Sequence, residues 1–228
     1  MYKELRLFLI IVSEEFYLKD QAVKMLQQQR NVFYQSPGIK EFFYKENEVL
    51  MKNLSNDAIV LDVGCGLGTH AIMLSKYCKE VIGIDHSDAI LAKCKKNVEA
   101  IANIRLLKMN ARALEFDDIY FDETFSLFNT LGIMEEPLPV LKEMKRVTKP
   151  NKRIIFSLYN LNSINERIEF YKKTTLNHAH VEGTTIKSDD FFSKTYTEED
   201  IKQLCDKLEL NVTIHKTTIG FVCEATKQ

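Results

Sequence analysis

The chain has 228 residues and a formal net charge of −1, from 31 basic and 32 acidic side chains. That length suits one generous α/β domain and is short for two independent ones. The balanced charge lacks the basic surplus with which nucleic-acid-binding proteins replace phosphate counterions, so no nucleic-acid partner is expected.

At the start of the chain, Leu5, Phe8, Leu9, Val12 and Phe16 recur at helical spacing. The apolar run 5–12 is too short to span a membrane. Acidic Glu14 and Glu15 follow it where a signal peptide would have its small-residue cleavage pattern, so neither a leader nor a membrane anchor is expected. After Ser36-Pro37-Gly38, the residues Ile39, Phe42, Phe43, Val49, Leu50 and Leu54 mark a second apolar stripe. Residues 1–57 are therefore predicted to form a helical cap.

From residue 58 the pattern becomes strand, turn, helix, repeated. The predicted strands are 59–63, 81–85, 104–109, 124–128 and 153–159. The intervening helices cover 69–78, the stretch after Ser87, and the stripe Leu138, Leu141, Met144 and Val147. Such alternation predicts a parallel sheet with right-handed crossovers. Thr197-Glu198-Glu199-Asp200 reads as a capping box with Asp in place of Glu, ahead of a last helix. Two strands, about 212–216 and 219–225, then pair antiparallel. The predicted fold is a doubly wound α/β domain over 58–228, with a mostly parallel seven-stranded sheet and an antiparallel C-terminal strand. Residues 160–196 break the alternation and are expected to be an insertion over the open sheet edge, a substrate lid.

The five cysteines are odd in number and contain no C-x-x-C pair. A disulfide framework or structural zinc is therefore not expected, and the compartment implied is a reducing, cytoplasmic one.

The chemistry concentrates where the first strand ends. Asp62-Val63-Gly64-Cys65-Gly66-Leu67-Gly68 leads from a strand straight into a helix, and Asp85 ends the next strand, where its carboxylate can accept from two ribose hydroxyls. A dinucleotide fingerprint would need glycine at 69, where Thr69 stands. A buried Asp62 would repel a pyrophosphate but tolerate a sulfonium ligand carrying an ammonium group. The run Val60-Leu61-Asp62-Val63-Gly64-Cys65-Gly66-Leu67-Gly68-Thr69 resembles the first motif of class I S-adenosylmethionine-dependent methyltransferases, and Val81-Ile82-Gly83-Ile84-Asp85 the second. The similarity continues in order through 108–111, 125–132 and 141–150.

This resemblance implies S-adenosylmethionine as cofactor. Gly64, Gly66 and Gly68 would line its methionine part, with Asp62 and Cys65 of the same turn also counted among the cofactor-binding residues. Asp85, with His86 beside it, would hold the ribose. Asn110, where the family usually has Asp, and the Ala111 amide would meet the adenine, and Asn129 would pass beneath the methionine moiety. Cys65 has no base near it in sequence and reads as a small residue rather than a nucleophile. Asn151-Lys152 replaces a glycine pair frequent in the family, and of the two Asn better tolerates left-handed backbone.

For a base that deprotonates the acceptor, Tyr34, Tyr159, His178 and His180 are candidates. His178 and His180 lack a third ligand for a metal, and no metal site is expected. No Asn-Pro-Pro-aromatic motif, RNA-binding appendage or catechol-type metal set is recognisable. The acceptor expected is therefore an N or O atom of a small molecule. The alternatives are an RNA- or protein-modifying enzyme on the same fold, and a non-catalytic cofactor-binding module.

Overall fold

A computed structural model describes residues 23–28, 35–174, 176, 178–188 and 191–227. Tyr34 and the apolar stripe of 5–16 lie outside the described residues. Residues 23–28 are helical, with Met25 and Leu26 buried.

Helix α1 (Pro37–Met51) starts at the Ser36-Pro37-Gly38 signal, with proline in its first turn, where the missing N–H costs no helical bond. It has no acidic residue in its first turn and no side-chain cap of its own. Instead Glu166, 128 residues later, accepts hydrogen bonds from Gly38 N (2.7 Å) and Ile39 N (3.3 Å).

The α/β unit follows as β1 (Ile59–Val63), α2 (Thr69–Leu74), β2 (Glu80–Asp85), α3 (Asp88–Val98), β3 (Ile104–Lys108), β4 (Phe121–Ser126), α4 (Pro137–Val147) and β5 (Thr148–Tyr159). After an insertion come α6 (Glu198–Asp206), β9 (Leu210–Lys216) and β10 (Gly220–Lys227). The seven-stranded sheet runs β3-β2-β1-β4-β5-β10-β9. The first five strands are parallel, and β10 runs antiparallel to both its neighbours.

Alternation along each buried strand feeds two cores, one on each face of the sheet. Val60, Phe125, Ile155 and Val222 face Phe42, Phe43, Ala71 and Phe170. Leu61, Ile154, Phe156 and Cys223 face Leu141, Met144, Ile201 and Cys205 on the other side. The five cysteines are all buried and unpaired.

The expected caps are present. Ser87 Oγ accepts from Ile90 N at 3.3 Å, and Thr197 with Asp200 closes a reciprocal capping box. Asn151 takes φ +59°, the left-handed geometry expected of it at the turn. Three elements differ from expectation: the strand predicted at 124–128 lies at Phe121–Ser126, three residues earlier at its start and two at its end. The helix predicted to reach residue 78 ends at Leu74, and β5 already begins at Thr148, so the residues around Pro150 extend a strand.

The insertion is more ordered than a polar lid. It holds α5 (Ile164–Lys172) and a meander of three antiparallel strands, β6 (His180–Glu182), β7 (Thr185–Ser188) and β8 (Phe191–Lys194). Because β10 occupies the edge of β5, the insertion sits above the strand ends. Asn129, just beyond β4, donates from Nδ2 to Ser193 Oγ (2.9 Å) on β8, and Lys194 Nζ donates to Glu135 O (2.7 Å). No described helix is long and apolar enough to cross a membrane.

Candidate cofactor and acceptor site

The turn after β1 is tied to β2 through its backbone, since Gly64 N and Cys65 N both donate to Ile84 O at 2.9 Å. Gly64 takes φ +76°, and a Cβ there would lie 2.5 Å from Thr130 Cγ2. Only glycine lets this turn approach the Thr130 turn so closely. Gly68 serves packing instead. It takes φ +84° at the start of α2, and a Cβ would meet Cys94 Sγ at 2.8 Å on α3.

Asp85 closes the arrangement from the end of β2. Its Oδ2 accepts from Gly66 N (3.2 Å) and its Oδ1 from Ser87 N (3.0 Å). A carboxylate offers about four lone-pair sites, and these two bonds with a third from the His86 backbone leave acceptor capacity for a ribose hydroxyl. Burial raises the Asp85 pKa, while the Ser87 N–H and the neighbouring His86 pull it down. His86 Nδ1 is 3.7 Å from Asp85 Oδ1.

A cavity of about 250 Å³ opens here. It is lined by Gly64 and Thr130, by Asp85 and His86 at the end of β2, and by Met109, Asn110, Ala111 and Arg112 after β3. Ile133, Met134 and Val140 add apolar cover. Asn110 makes an Asx turn in which Oδ1 accepts from Arg112 N at 2.9 Å. One lone pair of that oxygen is thus engaged.

Of the residues expected at the cofactor, the fold brings Gly64, Asp85, His86, Asn110 and Ala111 to this cavity. Asp62, Cys65, Gly66, Gly68 and Asn129 do not line it. Asp62 is 3% exposed and leaves Oδ2 without a hydrogen-bond partner. Burial, and then the charge of Asp85, push its carboxyl well above the usual range. Cys65 packs with Cys94 and Val98, and its bond to Cys94 together with burial keeps the thiol protonated. Asn129 is fully buried and spent on structure, since its Oδ1 accepts from Tyr159 N (2.9 Å) while Nδ2 serves β8.

The candidate bases fare similarly. His178 and His180 are exposed on the insertion, with His180 Nδ1 3.3 Å from His178 O. Tyr159 is fully buried and its phenol is pushed well up, chiefly by burial, which suits it to donate a hydrogen bond rather than to take a proton. Among the described residues, no three His, Cys, Asp or Glu side chains are grouped as a metal would need.

One polar group was not anticipated. Glu46, on α1, is fully buried, accepts from Phe128 N (2.7 Å) and Ser157 Oγ (2.5 Å), and lies 3.8 Å from His70 Nε2. Burial raises Glu46 to about 8, against the lowering pull of those two bonds, and lowers His70 to about 3. At neutral pH both are uncharged. Glu46 braces Phe128 directly and Asn129 through Ser157, whose Oγ accepts from Asn129 N (3.4 Å); these are two successive non-glycine residues at positive φ (57° and 61°), just beyond β4.

The strand order, the single antiparallel strand, the glycine turn after β1 and the carboxylate ending β2 define the class I S-adenosylmethionine-dependent methyltransferase fold. Residues 60–151 match the family described as "Methyltransferase domain". The chain is 33% identical over 110 residues to an uncharacterized methyltransferase of Schizosaccharomyces pombe, covering 44% of this chain and 40% of that one. It is 31% identical over 115 residues to the demethylmenaquinone methyltransferase of Bacillus licheniformis, covering 49% of each. The chain spans about half the length of the curated relatives it matches. Among solved structures, a SAM-dependent methyltransferase from Aquifex aeolicus shares the fold with a TM-score of 0.62 at 20% identity, covering 88% of this chain and 98% of that one. The PH0226 protein of Pyrococcus horikoshii does so at 0.68 and 21%, covering 86% and 95%. The cofactor implied is S-adenosylmethionine, and the residues present fit it. Asp85 keeps acceptor capacity for a ribose hydroxyl, the Gly64–Thr130 approach leaves no room for a side chain, and among the described residues the lining holds Arg112 and His86 rather than a basic cluster of the kind phosphates need.

Proposed function

We propose that this protein transfers a methyl group from S-adenosylmethionine to a nitrogen or oxygen atom of a small molecule. The observation that carries this reading is the cavity in which the glycine turn, the remaining acceptor capacity of Asp85 and the adenine-side residues Asn110 and Ala111 converge. When bound, the cofactor supplies a methyl group activated by a sulfonium leaving group. The protein's own task is alignment, which is worth roughly 7–11 kcal/mol of barrier in ideal cases. Asp85 holds the ribose, Gly64 admits the methionine arm past Thr130, and Met109, Ile133, Met134 and Val140 exclude water.

A small acceptor is favoured by the cover over the strand ends. The insertion is bonded to Asn129, and α1 is bonded to Phe128 and to α5, so both wall the side where an acceptor must stand. The demethylmenaquinone methyltransferases among the relatives are named for a small-molecule acceptor.

The test is calorimetric titration with S-adenosylmethionine of the wild type and of Asp85→Ala. Micromolar binding, weakened about tenfold or more by the substitution, which is a loss of about 1.4 kcal/mol or more, is expected. A folded wild type that does not bind would overturn the reading. Binding without methyl transfer to any amine, phenol or acid would leave a cofactor-binding module.

A further inference from the structure

Arg167 lies on α5 with no exposed surface. Its Nη1 donates to Ser163 Oγ (3.1 Å), and its Nη2 donates to Ser193 O (3.3 Å) and to Ser193 Oγ. Its Nε has no partner. Among the described residues, no carboxylate lies within 4.0 Å of the guanidinium. Glu166 beside it in sequence is turned away to cap α1. The guanidinium carbon stands 4.1 Å above the Tyr159 ring and 5.7 Å from the Tyr171 ring, and both phenol hydroxyls are buried without a partner.

A buried cation without a counterion is a costly arrangement. Two neutral serines and an aromatic face soften that cost but supply no negative charge. The groups left over are the Nε–H of Arg167, which can only donate, and two phenolic hydroxyls, each able to donate. A set of surplus donors around a fixed positive charge is complementary to an oxyanion. Its place in the fold matters too. Tyr159 ends β5 at the side of the sheet where ligands bind. Its N–H is held by Asn129, and the next residue, Thr130, lines the cofactor cavity.

We propose that Arg167, with the hydroxyls of Tyr159 and Tyr171, forms the subsite that receives a carboxylate carried by the methyl acceptor, so that the acceptor is a small carboxylic acid. This rests on the small-molecule reading above. For the acceptor to enter, α5 and β8 must part from β5, and they close again over the paired charge.

The probe is formate, small enough to reach any carboxylate subsite. Thermal unfolding of the full chain is followed in sodium formate and in sodium chloride at equal ionic strength, for the wild type and for Arg167→Met. Formate is expected to raise the Tm of the wild type above its chloride control and to leave the variant unmoved, with formate affinity about tenfold or more weaker in the variant. Equal Tm values for the wild type in the two salts, or a formate response retained in Arg167→Met, would overturn the proposal. Should Arg167→Met not fold, Tyr159→Phe/Tyr171→Phe keeps both rings. Its formate response is expected to fall, and an unchanged response counts against the subsite. S-adenosylmethionine titration of the same wild-type sample separates the two claims, since cofactor binding without a formate response removes only the carboxylate subsite.

Discussion

Gly64 shows how much one position can decide. Two constraints meet there, a φ of +76° and a Thr130 methyl placed 2.5 Å from any Cβ. The first costs an L-residue about 1–2 kcal/mol, and the second adds a clash that only movement of the Thr130 turn relieves. Gly64→Ala should therefore lower both the Tm and the affinity for S-adenosylmethionine. Adding Thr130→Ser removes the offending methyl and should recover part of the loss, leaving the backbone share. Calorimetry on the single and double variants checks this, and a double variant no better than the single one would show that the contact is immaterial. Asp85 and Gly64 were legible in sequence because the turn is contiguous and its neighbours along the chain are its neighbours in space. Glu46 and Arg167 were missed although a signal existed. Glu46 sits three and four residues from Phe43, Phe42, Val49 and Leu50, and Arg167 is three residues after Ile164 and four before Tyr171. Each is a charged residue on the apolar stripe of its helix, and each is fully buried.

At the level of elements, the joint between α1 and α5 is fastened by one side chain, Glu166, among the described residues of the two helices. Glu166 satisfies two of the N–H groups that α1 leaves open and places a carboxylate at the positive end of the helix. Glu166→Ala should lower stability by about 1 kcal/mol, the usual worth of a cap. Glu166→Gln, which keeps an acceptor but loses the charge, should cost less. Urea unfolding curves of the two variants test the order, and an alanine variant as stable as the wild type would show that the contact contributes nothing. The alternating strands and helices were readable because each buried strand is a short apolar run ending in a turn. The meander β6–β8 was not. Its first strand is exposed throughout, two of its three residues are polar, and only the two-residue connection Gly183-Thr184 hinted at a hairpin. The placement of the insertion escaped sequence reasoning for a different reason. It depends on β10 returning from the end of the chain to take the edge of β5.

For the molecule as a whole, Glu46 and His70 make stability depend on pH in opposite directions. Glu46 binds its proton more tightly when folded, at about 8 against an ordinary 4.5. Its contribution is fully present below about 4.5 and is lost as pH rises to about 8. His70 is held at about 3 against 6.5, so its contribution is present above 6.5 and is lost as pH falls toward 3. Between pH 6.5 and 8 the Glu46 effect acts without opposition from His70, with a slope of up to about 1.4 kcal/mol per pH unit for one proton. Glu46→Gln should flatten the alkaline decline in Tm across that window. Parallel Tm profiles for wild type and variant from pH 6.5 to 8 would show that the carboxyl is ionised when folded.

The fastenings of α1 also set an order of events in time. Its backbone and side chains are held by Phe128, by Arg153, which reaches Val49 O (2.8 Å), by Glu166, and by Thr218, whose N–H meets Glu41 177 residues further along the chain. On a ribosome that adds roughly 5–20 residues per second, the helix emerges on the order of ten seconds or more before its last partner is made. Through that interval the cover over Ile39, Phe42, Phe43 and Leu50 stays incomplete, because Ile219 and Val222 are the last members of their cluster to be made. The nascent protein thus presents a hydrophobic helix early and retires it late, and it is in this interval that a chaperone would be needed.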